Sequence, residues 1–198
     1  MDIKLKIWLN FLLIMLHQSL IVQGTLYVYL IEDPAIFQDC KNEPDYLGVA
    51  DMFDLSNLSI ELLDETVHME GSFTMVWDAD PDDRVELHTD LMKYERGSWQ
   101  PTVFTMIQKD FCATLFDEND IWYKTWAQFI DSDDLKCITN KGHTYHHVPF
   151  DLEAVADIQG EDISGRHKLV LKVDAFNRQD EKQPYSVCLE IEGDIMKK

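Results

Sequence analysis

Apolar and polar residues alternate with a period of two along much of the chain, as is typical of strands in a half-buried antiparallel sheet. The alternation covers residues 85–93, 169–175 and 187–191. Residues 25–31 and 72–77 are rich in β-branched and aromatic side chains, which also favour strands. Five or more strands are therefore predicted.

One segment departs from this period. Its large apolar side chains recur at the spacing of a helix and follow an acidic stretch at residues 117–120; they are Trp122, Trp126, Phe129 and Ile130. This pattern predicts a short helix capped by the acidic residues. Turns are predicted at residues 80–83, 95–98, 141–142 and 177–184, where Gly, Pro, Asp and Asn are concentrated.

These elements predict an all-β protein, specifically a two-sheet immunoglobulin-like antiparallel β-sandwich with one short helix. A closed barrel would contain similar strands. The sandwich is favoured because cysteines lie near both ends of a strand-rich segment.

The first 24 residues match a secretory signal peptide. Lys4 and Lys6 precede an apolar run over residues 7–16, which is too short to span a bilayer, and Gly24 suits signal peptidase. A retained N-terminal anchor would have to include His17, Gln18 and Ser19. We therefore expect cleavage after Gly24, leaving residues 25–198 as a single domain in the extracellular space.

The chain is strongly acidic, with 17 Lys and Arg residues against 37 Asp and Glu residues and a net charge of −20. Removal of residues 1–24 would make it one unit more negative. Nucleic acid and anionic membranes would repel such a protein, and no second apolar stretch long enough for stable membrane insertion follows. Solubility explains the acidity best, and a basic partner is the alternative.

Four cysteines remain after the predicted cleavage, and an even number in a secreted chain indicates two disulfide bonds. Three pairings are possible. The most economical scheme joins Cys112 to Cys137 around a local excursion and Cys40 to Cys188 across the chain. The absence of a CxxC pair makes a zinc site improbable.

Two further groups resemble metal sites. Residues 78–83 carry carboxylates at the first, third and fifth positions of a calcium loop, but Asp83 occupies the glycine position and Thr89 the position of the bidentate glutamate. A solvated hairpin turn is the preferred interpretation. His143, His146 and His147 lie between Gly142 and Pro149, which disfavour a helix, so we interpret them as exposed histidines at a strand edge. We predict no metal and no cofactor.

Nothing in the sequence indicates an enzyme. The cysteines are assigned to disulfides, and no serine lies in a Gly-x-Ser-x-Gly elbow. Carboxylate pairs are abundant only because acidic residues are abundant. Asn57 begins the N-glycosylation sequon Asn57-Leu58-Ser59 and is a predicted glycan acceptor.

Large apolar side chains are frequent, with 5 Trp, 10 Phe, 7 Tyr and 8 Met. A packed core would explain them. Alternatively, the two sheets separate and leave a cavity for an apolar ligand, to which flexible Met and broad aromatic faces are suited.

Several strings point to a known family. They include residues 71–78 (GSFTMVWD), 95–102 (ERGSWQPT) and 109–112 (KDFC), and the terminal Val187-Cys188 with Gly193. Over nearly all of residues 25–198 the chain resembles the insect CheB chemosensory family, which is related to the ML lipid-recognition superfamily and the ganglioside activator protein. The resemblance implies a two-sheet sandwich that holds lipid between its sheets, and it also favours pairing of Cys40 with Cys188. The chain has fewer cysteines than the ganglioside activator.

The resemblance implies a secreted protein that presents an apolar chemical, such as a lipid or a cuticular hydrocarbon pheromone, in contact chemoreception. The alternative is an extracellular interaction protein with a filled core that docks a gustatory receptor or channel ectodomain. Strand alternation nominates inward-facing residues as ligand contacts, and the helical segment supplies lid candidates. These residues are Leu87, Leu91, Leu169, Leu171 and Val173, with Trp126 and Phe129 as the lid.

Overall fold

The computed structural model describes residues 24–160 and 162–198, so the predicted signal peptide lies outside the described residues except for Gly24. Eleven strands are present in this range. Their bounds are β1 Thr25–Ile31, β2 Gln38–Asp39, β3 Phe53–Asp54, β4 Leu58–Leu63, β5 Thr66–Met75, β6 Arg84–Glu95, β7 Ser98–Gln108, β8 Thr144–Leu152, β9 Val155–Ile158, β10 Gly165–Phe176 and β11 Val187–Lys197. No helix within the described residues is long and apolar enough to cross a membrane.

The strands form two antiparallel sheets. The large sheet has the order β7-β6-β10-β11-β1-β9, and β2 pairs with β11 beside this path. The small sheet has β5 at its centre, paired with β3 and β4 on one side and with β8 on the other. Apolar side chains of the two sheets pack against each other, so the predicted all-β two-sheet sandwich is confirmed.

The segment of the predicted helix forms one short helix and a 3₁₀ turn, and another short helix, which was not predicted, precedes it. Helix α1 spans Phe111–Thr114, and α2 spans Ile121–Thr125. Asp120 caps α2, as expected from the acidic stretch, by accepting a hydrogen bond from the Trp122 amide at 2.8 Å. The helix ends at Trp126, whose φ of −144° leaves the helical region, and a 3₁₀ turn follows over Ala127–Phe129.

Both predicted disulfide bonds are present. Cys40 is joined to Cys188, and Cys112 is joined to Cys137. The second bond encloses α2, most of α1 and the 3₁₀ turns at Ala127–Phe129 and Ser132–Asp134, and we call residues 112–137 the disulfide loop. The loop packs its apolar side chains onto the space between the sheets.

Two of the predicted turns have different structures: one is a hairpin and the other connects the two sheets. Residues 95–98 form a tight hairpin between β6 and β7, with positive φ at Arg96 and Gly97, as a two-residue loop requires. Residues 80–83 also turn, with the Asp82 amide bonded to Asp80 Oδ1, but they do not form a hairpin. They lie in the connection from β5 of the small sheet to β6 of the large sheet, which also contains the buried Trp77.

Most of the buried apolar residues belong to one of two separate clusters. The main core lies at the centre of the sandwich and contains Trp77, Tyr145, Leu87, Leu171 and Val173 among its buried members. The minor core contains Ile36, Val67, Met69 and Phe150. The two clusters share no buried residue; Phe37 and Ile191, both half-buried, pack against both.

The outer face of the large sheet is partly covered. Glu190 points away from the core, as the alternation predicts, yet its side chain is 1% exposed. Its carboxylate accepts a hydrogen bond from the Lys168 ammonium at 2.5 Å, and Lys168 lies over the Trp99 ring at 5.1 Å. The segment after β2 supplies Lys41, whose Nζ lies 3.7 Å from Glu190. This buried ion pair is therefore enclosed by side chains from distant parts of the sequence.

Candidate functional site

The inward face of the large sheet is organised in rows of facing residues. Leu87 faces Val173, and in the next row Thr89 faces Leu171; all four are buried. One row further along, Leu91 faces Leu169, and Leu169 faces Ile191. These three residues are only half-buried, so the sandwich becomes less tightly closed at this row.

This row lies where the two cores meet. Leu169 packs against the main core, and Ile191 packs against both cores. Among the described residues, Leu91 packs against the buried members of neither core, although its side chain faces inward. A large inward apolar side chain without a core to join is a feature that an apolar ligand would explain.

The disulfide loop also reaches both cores, from the side of the small sheet. Trp126 packs against the main core, with its ring centroid 6.0 Å from that of Phe73. Phe129 joins the minor core and stacks on Phe150 at 4.0 Å. We call the region bounded by Leu91, Leu169, Ile191, Trp126 and Phe129 the junction.

A hydrogen bond fixes the Trp126 side chain. Its indole Nε1 donates to His147 Nε2 over 3.0 Å, so the imidazole accepts with that nitrogen and is neutral. Burial lowers the pKa of His147, and the charge of the neighbouring His146 lowers it further. Burial and the hydrogen bond that His147 accepts therefore both favour the neutral form of its imidazole.

The other two histidines of the predicted group hold the same loop. His146 Nδ1 lies 2.7 Å from Asp134 Oδ2, and His143 Nε2 lies 3.0 Å from the Asp134 carbonyl oxygen. Partial burial would raise the pKa of Asp134, but the hydrogen bonds and charge of His146 outweigh it and leave that pKa lowered. Only His146 is exposed; His143 and His147 are half-buried, because their strand positions face the core beside Tyr145.

The nominated ligand contacts thus fall into two groups. Leu87, Leu171 and Val173 are members of the main core, where they pack against other core side chains. Leu91, Leu169, Trp126 and Phe129 surround the junction. Alternation in the sequence indicated which face of a strand the leucines and Val173 occupy. It gave no signal of where the buried side chains divide into two clusters.

Other candidate positions are on the surface. Asn57 is exposed in the turn before β4. Two depressions of about 470 and 300 Å³ lie elsewhere on the large sheet, near Met196 and near Arg166 respectively, and no nominated ligand residue lines either. Among residues 24–160 and 162–198, no three His, Cys, Asp or Glu side chains are grouped so as to hold a metal ion.

No family model matches the chain, and no curated protein matches it significantly.

Proposed function

We propose that this protein is a secreted, non-enzymatic carrier that binds an apolar molecule at the junction between its two cores and presents it in contact chemoreception. The position of Leu91 carries the proposal, because this inward-facing side chain packs against neither core. Secretion is supported by the signal-peptide pattern and is consistent with the two disulfide bonds. The chemosensory role rests on the family resemblance.

Binding at the junction would use burial of apolar area, worth about 25 cal/mol for each square ångström removed from water. Entry of a chain-like ligand requires the disulfide loop to move away from the small sheet. The loop is attached there by the Trp126–His147 hydrogen bond, by the Phe129–Phe150 stack and by a backbone hydrogen bond from the Asp131 amide to the His146 carbonyl oxygen, and these contacts would have to open. A loop of this kind can close over a bound molecule.

A matched pair of substitutions on one face of β6 tests the proposal. Leu91→Trp fills the junction, so it should abolish uptake of the fluorescent probe N-phenyl-1-naphthylamine while changing the free energy of unfolding little. Leu87→Trp overpacks the main core and should lower that free energy by about 1–3 kcal/mol. Probe fluorescence and chemical denaturation measure the two effects.

The carrier proposal fails if the wild-type protein takes up no probe and carries no lipid by mass spectrometry after purification. A second function would then stand, namely docking of a receptor or channel ectodomain through the acidic surface. One observation favours it: the centre of the sandwich is filled by fully buried Trp77, Tyr145, Met52 and Met75.

A further inference from the structure

Tyr46 lies in a surface turn that carries acidic residues. A hydrogen bond from the Tyr46 amide to the Glu43 carbonyl oxygen closes the turn at 3.1 Å. Pro44 and Asp45 are exposed, and Tyr46 is half-buried. Among the seven tyrosines of the chain, Tyr46 alone has an acidic residue directly before it, and Glu43 precedes it by three positions.

Two lysines converge on the Tyr46 ring from other parts of the fold. The Lys172 ammonium, on β10, lies 5.4 Å from the ring centroid, and the Lys182 ammonium, in the connection from β10 to β11, lies 5.1 Å from it. Lys182 Nζ is also 3.4 Å from the Tyr46 hydroxyl oxygen. Basic residues are scarce in this chain, at 17 against 37 acidic ones, so two of them beside one uncharged phenol make a local environment that favours an anion.

Each of these lysines also has a carboxylate partner. Lys172 pairs with Glu43 at 2.5 Å, and Lys182 pairs with Asp174 at 2.8 Å. An ammonium group has three N–H donors, so an ion pair with one carboxylate leaves donors for a second anion. An anionic group attached to the Tyr46 oxygen would lie next to Lys182 in particular.

The modification that fits these surroundings is sulfation. A sulfotransferase of the secretory pathway transfers a sulfuryl group from a phosphosulfate donor to a phenol oxygen. A bond forms between that oxygen and sulfur, the bond between sulfur and the bridging oxygen of the donor breaks, and the donor leaves as a phosphate while the phenol loses its proton. Because the donor is an anion, the enzyme that binds it has a basic site, which acidic residues beside the acceptor tyrosine complement. The ester adds a negative charge and oxygen acceptors for ammonium groups.

We propose that Tyr46 is sulfated during export and that its sulfate ester pairs with Lys182 and Lys172, which fastens the turn to β10. This inference uses only the export part of the proposed function and does not depend on an apolar ligand. It assigns a modification to the one tyrosine whose neighbours in sequence attract the enzyme and whose neighbours in space bind the product.

The test uses the full chain expressed in animal cells that are supplied with radioactive sulfate. Secreted protein is treated with endoglycosidase, because glycans also carry sulfate, and is then digested with trypsin. The tryptic peptide of residues 42–84 contains Tyr46 as its only tyrosine, and we expect it to retain the label. Alkaline hydrolysis of this peptide should release tyrosine sulfate.

Two conservative variants locate the site. Tyr46→Phe keeps the ring and should lose the label. Tyr94→Phe is the matched control and should keep it, because Tyr94 is 44% exposed but directly follows Lys93. Glu43→Gln with Asp45→Asn removes the acidic flank and should reduce labelling of the peptide severalfold.

The pairing with the lysines is measured separately by urea denaturation. Removal of the sulfate from the wild-type protein with an arylsulfatase should lower the urea concentration at half-unfolding. The same treatment should have no such effect on the variant that combines Lys172→Gln with Lys182→Gln. Equal midpoints before and after removal in the wild type would overturn the pairing.

The other outcomes are distinct. Secreted wild-type protein whose 42–84 peptide carries no sulfate overturns the sulfation of Tyr46 and leaves export and the carrier function standing. Label that persists in that peptide of Tyr46→Phe, or a mass gain that phosphatase removes, also overturns it. Protein that stays in the cells with residues 1–24 attached overturns export and sulfation together. If Tyr46→Phe is not secreted, the tyrosine sulfate released from the wild-type peptide decides the case.

Discussion

The histidines at positions 143, 146 and 147, of which the first lies just before β8 and the other two within it, all contact the disulfide loop. His143 and His146 contact Asp134, and His147 accepts the hydrogen bond from Trp126. Their side chains point in different directions because successive strand residues face opposite sides of a sheet. Burial lowers the pKa of His147, so this side chain resists protonation in the folded protein.

The first prediction concerns the pH dependence that His147 confers. Its folded pKa lies below the ordinary value of about 6.5. As the pH falls, the unfolded chain binds the proton first, so this contribution to stability is present above pH 6.5 and is lost through the window below it. Protonation would also place an N–H against the Trp126 N–H and remove a hydrogen bond worth about 1 kcal/mol.

His147→Gln keeps an acceptor for Trp126 and does not titrate. We expect the wild-type free energy of unfolding to fall more between pH 7 and pH 5 than that of His147→Gln, as measured by urea denaturation. His167, whose pKa burial lowers, and His68, whose pKa Asp151 raises, contribute equally to both proteins. Parallel pH profiles of the two proteins would show that His147 is not the titrating group.

At the scale of elements, the disulfide loop is the part of the fold that belongs to neither sheet. Its attachments are the Cys112–Cys137 bond, the Gln108–Asp120 hydrogen bond and the contacts made by the histidines of β8. Its apolar side chains reach both cores, with Trp126 in contact with one and Phe129 with the other. The loop therefore closes the junction without contributing a strand.

The second prediction is that Cys112→Ser with Cys137→Ser lowers stability and leaves the sandwich folded. The bond spans 25 residues, and its loss should cost about 3.5 kcal/mol on the chain-entropy model. Loss of Cys40–Cys188, which spans 148 residues, should cost about 5 kcal/mol. Chemical denaturation measures both.

Probe binding separates the two disulfides further. Release of the disulfide loop should weaken uptake of the fluorescent probe, because the loop supplies one wall of the junction. A double serine variant at 112 and 137 that binds the probe as tightly as wild type would contradict a role for the loop in the site. Loss of all sheet structure in this variant would contradict the expectation that the sandwich folds without the bond.

At the scale of the whole molecule, the strong negative charge limits which partners the protein can contact. The net charge of −20 disfavours contact with nucleic acid and anionic membranes. The buried Lys168–Glu190 pair is a local exception, where opposite charges are matched inside the fold. The proposed recognition of an apolar ligand would therefore use the few inward positions that neither charge nor core packing occupies.

The third prediction is that the secreted protein begins at Thr25 and carries a glycan on Asn57. Thr25 is the first residue of β1, and Asn57 is exposed in a turn, so both positions suit processing enzymes. Intact-mass measurement of protein from the culture medium, before and after endoglycosidase treatment, checks both. Retention of residues 1–24, or no mass change in an Asn57→Gln comparison, would contradict the respective part.

The sequence by itself determined the local features of this protein. The period of two placed Leu87, Thr89 and Leu91 on one face of β6, because successive strand side chains alternate across a sheet. Cysteine number and spacing favoured the observed bonds. The acidic stretch marked the start of α2, since side-chain oxygens cap the free amides of a first helical turn.

Only the tertiary structure decided how these pieces cover one another. Alternation assigns Glu190 to the outer face, but it does not show that this side chain is buried there against Lys168 and near Lys41, both of which are distant in sequence. Likewise, Leu87 and Leu91 show the same pattern, yet one joins the main core and the other lies at the junction. The physical reason is that periodicity records which side of a strand is apolar, while burial depends on whichever non-local segment packs against that side.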